Sequence, residues 1–123
     1  MTQHTKVLVV DDHEQRRNLF CKVLKSAGYA VRPVSDGLNA IRHMEKTRFD
    51  VVLTDVVLPQ MDGLELLTKI RDRWPESRVV VHSNGLSWRV ARLALEEGAY
   101  ACLSKSDKTA QLLKTIASAS LAA

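Results

Sequence analysis

The sequence has few of the residues that mark specialised architectures. Its 123 residues include two cysteines, three prolines and five glycines, and only 5% are aromatic. Cys21 and Cys102 form neither a CxxC pair nor a metal-binding spacing, so we expect two reduced, packed thiols. So little glycine and proline, beside 46% hydrophobic residues, excludes collagen-like, low-complexity and disordered chains.

Long apolar runs are also missing. Runs such as Val7–Val10 are far shorter than the roughly 18 residues that a membrane-spanning helix needs. The N-terminal segment leads directly into a short strand-like run and an acidic pair, which is not the pattern of a secretory signal. We therefore expect a single cytoplasmic domain over residues 1–123, its core at about 5–120, with no membrane contact.

The net charge of +4 comes without a basic run. It results from 18 lysines and arginines against 14 acids, and the positive residues are scattered over several predicted helices and turns. Few aromatic residues are present to stack on bases. This pattern indicates a solvated basic surface and does not favour direct nucleic-acid binding.

Short β-branched runs alternate with longer amphipathic segments along the chain. Such runs, uninterrupted by polar residues, are typical of parallel strands covered on both faces. Two weaker strands are predicted at Ala30–Val34 and Tyr100–Leu103, and Pro33 favours a sheet edge for the first of them. The three strongest runs are Val7–Val10, Val51–Leu53 and Val79–Val81.

Five strands alternating with five helices predict an open, doubly wound α/β sandwich, because five units are too few for a closed eight-stranded barrel. In such folds the functional crevice lies beyond the carboxyl ends of the strands, where strand order reverses. The polar residues at these ends are therefore the candidate site residues: Asp11, Asp12, Thr54, Asp55, His82, Ser83, Ser104 and Lys105.

Three carboxylates are expected to converge at this edge, from Asp11, Asp12 and Asp55. Carboxylates this close repel one another, and at least one would be protonated without a cation nearby. Lys105 supplies one positive charge, and a hard divalent ion such as Mg²⁺ would supply the rest. Together with the Ser83 hydroxyl, this set fits phosphoryl transfer to a carboxylate. Helix capping alone would explain one or two of the acids, not the whole set.

Read in order, these segments resemble the receiver domain of two-component response regulators. Val7–Asp12 is similar to the acidic-pair segment of that family, and Asp55–Leu66 to its phospho-acceptor segment, with the Asp-x-x-Leu-Pro-x-Met-Asp-Gly run intact. Gly98–Ala99 followed by Lys105 is similar to the segment around the fifth strand. The resemblance covers essentially the whole chain. It implies a flavodoxin-like (βα)5 fold and a signalling domain rather than an enzyme that turns over external substrates.

The resemblance also implies how the acids divide their roles. Asp55 would accept a phosphoryl group from a phosphohistidine on a sensor histidine kinase or a phosphotransfer protein. Asp12, Asp55 and the backbone carbonyl of Val57 would bind Mg²⁺, and Asp11 would act mostly through bound water.

Lys105 and Ser83 would act on the phosphoryl group itself. By the same resemblance, Lys105 would pair with a phosphoryl oxygen and the Ser83 hydroxyl would move to hydrogen-bond to the group. That movement would bias an output face formed by the fourth helix, the fifth strand and the fifth helix. The implied partners of this face are a downstream effector, a covalently attached output domain or a second copy in a homodimer.

Departures from the family pattern leave alternatives open. Cys102 stands where the fifth strand often has a switching tyrosine or phenylalanine, and Ser106 follows Lys105 where proline is common. They motivate a receiver-fold interaction module that is insensitive to phosphorylation and binds through a surface around Trp88. A small phosphatase with an aspartyl nucleophile is a third interpretation, although such enzymes commonly have an acid at the position of Val57.

Three polar residues near the set have simpler interpretations. Asp62 is expected to cap the third helix, in a capping-box arrangement with Glu65, rather than to join the acids. His13 is expected to face solvent in the first helical turn. His82 is expected to be packed at its strand end rather than to relay protons.

Overall fold

A computed structural model shows five strands and five helices in strict alternation. It describes residues 5–83, 88–104 and 109–122, with only the backbone of Trp88 and Ala122. In chain order the elements are β1 (Lys6–Val10), α1 (Glu14–Ser26), β2 (Ala30–Val34), α2 (Gly37–Lys46), β3 (Val51–Asp55), α3 (Gly63–Arg73), β4 (Arg78–Ser83), α4 (Trp88–Glu96), β5 (Ala101–Ser104) and α5 (Thr109–Ala122).

The strands form one parallel sheet in the order β2-β1-β3-β4-β5. Strand β2 lies at an edge, as Pro33 predicts, and Pro33 pairs with Val9 of β1. Strand order reverses between β1 and β3, because the chain leaves β1 to one side for β2 and then crosses to the other side. In a doubly wound sheet this reversal opens the crevice in which ligands bind.

Each face of the sheet buries its own layer of helices, as the unbroken apolar runs predict. Successive residues of a strand point to opposite faces, so Leu8 and Val10 belong to one core and Val7 and Val9 to the other. The first core is completed by α2, α3 and α4, the second by α1 and α5. Within the described ranges, no helix reaches the length and hydropathy that crossing a bilayer requires.

Helix ends follow from local capping. Asp36 and Asp62 cap α2 and α3, and Asp62 accepts a hydrogen bond from the Glu65 backbone N–H at 2.8 Å. The capping role predicted for Asp62 is therefore confirmed. Gly28 and Gly98 follow α1 and α4 with φ of 98° and 104°, a left-handed conformation that favours glycine.

Candidate functional site

The ends of β1 and β3 bring Asp11 and Asp55 together at the point where strand order reverses. Val10 pairs with Thr54, so the acids that follow these two residues are neighbours. Both carboxylates are buried, Asp11 at 0% and Asp55 at 2% exposure. A carboxylate oxygen of each acid and a ring nitrogen of His82 lie within 4.8 Å of one another. The convergence predicted from the sequence therefore holds for these two acids, while the Asp12 side chain is exposed.

A guanidinium group bridges the two buried carboxylates. Arg16 donates from Nε to Asp11 Oδ2 at 2.6 Å and from Nη2 to Asp11 Oδ1 at 3.0 Å, which is the bidentate geometry of strong arginine–carboxylate pairs. The same Nη2 donates to Asp55 Oδ2 at 3.1 Å. A residue of α1 thus supplies positive charge that the sequence leads us to expect from Lys105 and a metal ion.

The first turn of α1 directs Arg16 to this position. His13 is the N-cap of α1, and its Nδ1 accepts a hydrogen bond from the Arg16 backbone N–H at 3.2 Å. The backbone N–H of His13 donates to Asp11 Oδ1 at 2.9 Å. Arg16 is the third residue of the helix, and helical side chains lean towards the helix N-terminus, which here adjoins the end of β1. Arg17 adds a hydrogen bond from Nη1 to the Asp11 carbonyl oxygen at 2.9 Å.

The Arg16 charge is stabilised by the acids around it. Burial alone would lower the pKa of Arg16, but the hydrogen bond and charge of Asp11, followed by the charges of Asp55 and Asp12, raise that pKa above its ordinary value. Arginine is already protonated throughout the physiological range. The bridge between Asp11 and Asp55 is therefore a permanent cation.

The loop after β3 orients the Asp55 carboxylate from its other side. Asp55 Oδ1 accepts from the Val57 backbone N–H at 3.1 Å. The loop itself is held by the Val56 N–H, which donates to the His82 carbonyl at 3.1 Å, and by the Gly63 N–H, which donates to the Val56 carbonyl at 2.7 Å. Both Asp55 carboxylate oxygens thus have fixed N–H donors.

The donor set fits a hard divalent cation. Asp11 and Asp55 place carboxylate oxygens side by side, and exposed Asp12, which follows Asp11 in the chain, carries a third carboxylate. Mg²⁺ prefers such oxygen ligands and keeps several waters. The acids of this chain could therefore bind Mg²⁺, provided that the oxygens bonded to Arg16 become accessible to it.

His82 and Ser83 end β4 on the neighbouring strand. His82 is 2% exposed, and its ring packs edge-on against Phe20 at a centroid distance of 4.8 Å, as the packing interpretation predicts. Its Nε2 is 3.8 Å from Asp11 Oδ2.

Ser83 and His13 also lie near the carboxyl ends of strands, of β4 and β1 respectively. Ser83 is buried and pairs with Ser104 of β5. His13 is exposed, as expected, but it also caps α1.

Several predicted features lie outside the described residues. These are Lys105 and Ser106, which follow β5, and the side chain of Trp88.

Strand β5 and the residue before it are bonded to the helices on either side. Half-buried Cys102 of β5 donates from Sγ to the Ala91 carbonyl of α4 at 3.6 Å. The Tyr100 hydroxyl is 2.6 Å from Ser118 Oγ of α5, a hydrogen bond that ties it to that helix.

Comparison with known proteins identifies the family. The sequence model of the response regulator receiver domain matches residues 7–117. The chain belongs to this family. The receiver domain is 39% identical over 112 residues to the sensor histidine kinase RcsC of Salmonella typhi, a match that covers 90% of this chain and 12% of that protein. It is 31% identical over 75 residues to the response regulator receiver protein CpdR of Brucella abortus, covering 61% of this chain and 62% of CpdR.

Solved structures agree with the fold of this receiver domain. The chemotaxis response regulator CheY4 of Vibrio cholerae superposes with a TM-score of 0.88 at 30% identity, covering 95% of this chain and 99% of CheY4. A receiver domain protein from Clostridium thermocellum gives a TM-score of 0.90 at 27% identity, covering 95% and 94% of the two chains. The predicted family and flavodoxin-like (βα)5 fold are confirmed. The domain is a signalling module of the two-component type.

Proposed function

We propose that this receiver domain accepts a phosphoryl group on Asp55 from a phosphohistidine of a sensor histidine kinase or a phosphotransfer protein in the cytoplasm. The observation that carries the proposal is the pair of buried carboxylates, Asp11 and Asp55, at the switch point of the sheet. Asp62, an acid of the loop after β3, is used as a helix cap. Both carboxylate oxygens of Asp11 bond to Arg16, whereas Asp55 accepts a single bond from it, which supports Asp55 as the nucleophile.

The transfer forms one bond and breaks another. A carboxylate oxygen of Asp55 bonds to phosphorus while the bond between phosphorus and the imidazole nitrogen of phosphohistidine breaks. The imidazole, protonated on its other ring nitrogen, takes the electron pair of the broken bond and leaves as a neutral ring, and Asp55 becomes an acyl phosphate. The N–H donor of Val57 holds the Asp55 carboxylate in one orientation, which lowers the entropic cost of reaching the reactive geometry.

Cations and a hydroxyl group would complete the site. Asp12, Asp55 and the Val57 carbonyl would hold Mg²⁺, with Asp11 acting through bound water, and the bound ion would neutralise charge on the phosphoryl oxygens. Lys105 would pair with a phosphoryl oxygen. Ser83 would donate its hydroxyl to the same group.

The response would reach partners through the face formed by α4, β5 and α5. Rearrangement of Ser83 at the end of β4 would move the start of this face. Because Cys102 replaces an aromatic residue and Tyr100 is bonded to Ser118, the face would respond without an aromatic side chain changing position. An effector, an attached output domain or a second receiver would bind there.

Incubation with acetyl phosphate and Mg²⁺ tests the proposal. Intact-protein mass spectrometry should show one added phosphoryl group on the wild type and on Asp72→Asn, which changes an exposed carboxylate of α3 in the same way. Asp55→Asn should show none. A wild-type mass that does not change would contradict phosphoryl transfer to this domain.

Beryllofluoride separates the remaining candidates. A receiver that switches should show NMR shifts at Ser83 and along α4, or a change in oligomeric state, when beryllofluoride and Mg²⁺ are added. Binding of beryllofluoride without change outside the site would favour the phosphorylation-insensitive interaction module. Sustained hydrolysis of p-nitrophenyl phosphate would instead support a phosphatase.

A further inference from the structure

All four carboxylate oxygens of Asp11 and Asp55 accept an N–H donor. Arg16 bonds to both oxygens of Asp11 and to Oδ2 of Asp55. The His13 backbone N–H shares Asp11 Oδ1, and the Val57 backbone N–H bonds to Asp55 Oδ1. A metal ion that uses these carboxylates must approach lone pairs that already face donors, and Mg²⁺ tolerates little departure from its compact octahedral geometry.

Arg16 differs from the other two donors because it carries a full positive charge. The backbone N–H groups of His13 and Val57 are neutral and could share an oxygen with a metal ion. A guanidinium and Mg²⁺ on the same two carboxylates would repel each other, and the surrounding burial leaves little water to screen them. The Arg16 side chain is 21% exposed, so it has a path to solvent when it leaves the acids.

We propose that Arg16 is a built-in counter-ion that competes with Mg²⁺ for Asp11 and Asp55, so that the metal binds only after the guanidinium leaves. This inference rests on the proposed function, since it concerns the metal step of the same site. The apparent dissociation constant for Mg²⁺ then equals the intrinsic constant divided by the fraction of molecules in which Arg16 has left the carboxylates. Metal occupancy, and with it phosphoryl acceptance, is set by the conformation of one side chain.

The same bridge links Arg16 to the stability of the folded domain. Within the described ranges, the Arg16 guanidinium is a cation that both buried carboxylates share. Without it, the pair would repel and the folded state would lose stability. Binding of Mg²⁺ to the folded state alone would then restore that stability. Removing Arg16 should therefore make the melting temperature depend strongly on Mg²⁺, whereas in the wild type it should depend only weakly.

Isothermal titration with Mg²⁺ measures the competition directly. Arg16→Gln is compared with the wild type and with Lys22→Gln, which removes the same charge from an exposed position of α1 and introduces the same side chain. The dissociation constant of Arg16→Gln should be lower than that of the wild type by about tenfold or more, which corresponds to a guanidinium that leaves the carboxylates about a tenth of the time or less. Lys22→Gln should stay within about twofold of the wild type.

Two further measurements test the competition even if Arg16→Gln folds poorly. Arg16→Lys keeps the charge but lacks the planar fork that bonds to both Asp11 oxygens, so its Mg²⁺ affinity should lie between those of the wild type and Arg16→Gln. In the wild type, the Arg16 Nε–H resonance in nitrogen-15 NMR spectra should shift on Mg²⁺ titration in proportion to metal occupancy, because the guanidinium leaves Asp11.

The outcomes are distinct from those that test phosphoryl transfer. Equal Mg²⁺ affinity of the wild type and Arg16→Gln, binding by neither, an equal gain in Lys22→Gln, or an Arg16 resonance that does not move at saturating Mg²⁺ would each overturn the competition. A tenfold gain in Arg16→Gln, with no phosphoryl group added to Asp55 by acetyl phosphate, would support the competition and refute only the proposed function.

Discussion

Gly63 packs against the backbone of Asp55, so closely that a Cβ atom on Gly63 would overlap the Asp55 carbonyl oxygen and lie 2.7 Å from the Cα of Val56. The first residue of α3 is thereby pressed onto the last residue of β3. This contact fixes where the candidate nucleophile stands relative to the helix that follows it.

Gly63→Ala should destabilise the domain by about 1–3 kcal/mol, because the new methyl group meets backbone that cannot move without shifting Asp55. The matched control is Gly37→Ala, since Gly37 is likewise the first residue of a helix capped by aspartate. There a Cβ would meet the sulfur of Met61 at 3.0 Å, and a flexible side chain can give way. Urea denaturation measures the free energy of unfolding of both variants. Equal losses of stability would show that the contact between Gly63 and Asp55 does not make Gly63 harder to replace than Gly37.

Ser77→Ala should cost about 1–3 kcal/mol, because it leaves a buried carbonyl without its donor. Ser77 is 2% exposed, and its Oγ donates to the Phe49 carbonyl at 2.6 Å, which joins the segments entering β3 and β4. Ser120→Ala is the control. Its Oγ donates to the Ala117 carbonyl within α5 and is only half-buried, so we expect a change within about 0.5 kcal/mol. Guanidinium unfolding curves with similar midpoints for the two variants would contradict this ranking.

Asp62 should be replaceable by asparagine but not by alanine. Asparagine caps helices about as well as aspartate, whereas alanine should cost roughly 1 kcal/mol. Thermal unfolding of Asp62→Asn and Asp62→Ala distinguishes capping from a charge-dependent role. If Asp62→Asn instead weakened Mg²⁺ binding as strongly as Asp55→Asn does, Asp62 would be part of the acidic site.

Both thiols should react slowly in the folded protein. Burial raises the pKa of Cys102, and burial also raises the pKa of Cys21 despite the opposing charges of Lys25 and Arg17. A raised pKa lowers the thiolate fraction at neutral pH, so the reaction with Ellman's reagent should be slower than in the denatured chain. Cys21→Ser and Cys102→Ser assign the two rates.

The same shifts predict how stability depends on alkaline pH. A raised thiol pKa means that the folded state keeps the proton after the unfolded chain has lost it. The contribution of each thiol to the free energy of unfolding is therefore fully present below the ordinary thiol pKa and is lost as the pH rises through the raised pKa. Wild-type stability should fall in that range relative to a Cys21→Ser, Cys102→Ser double variant. A constant difference between the two from neutral to alkaline pH would refute the assignment.

The fold was predictable because the strongest signals are local and dense. Uninterrupted valine and leucine runs indicate strands buried on both faces, and Pro33 indicates the edge strand. The strand bounds shift slightly: β4 begins at Arg78, and β5 runs from Ala101 to Ser104 rather than from Tyr100. The Tyr100 N–H still bonds to the Val79 carbonyl at 2.7 Å, so the sheet-like contact begins where the sequence places it.

The site was predictable only in part. Asp11 and Asp55 follow from the rule that parallel strands meet at their carboxyl ends, but nothing in the charge pattern distinguishes Arg16 from the other positive residues scattered over the helices and turns. Its role depends on where α1 begins, and His13 is not among the residues that usually cap a helix. With His13 recognised as the cap, Arg16 becomes a third helical residue leaning back towards Asp11, which is the signal that would have identified it.

The two outer strands of the sheet also determine how molecules of this domain can associate. Strand β2 contains Pro33, which lacks a backbone N–H, and exposed Arg32; β5 has only four residues. Proline, exposed charge and short length are each features that discourage a foreign strand from adding to a sheet. We therefore expect resistance to edge-to-edge aggregation, and we expect regulated assemblies of this domain to form through its helices instead.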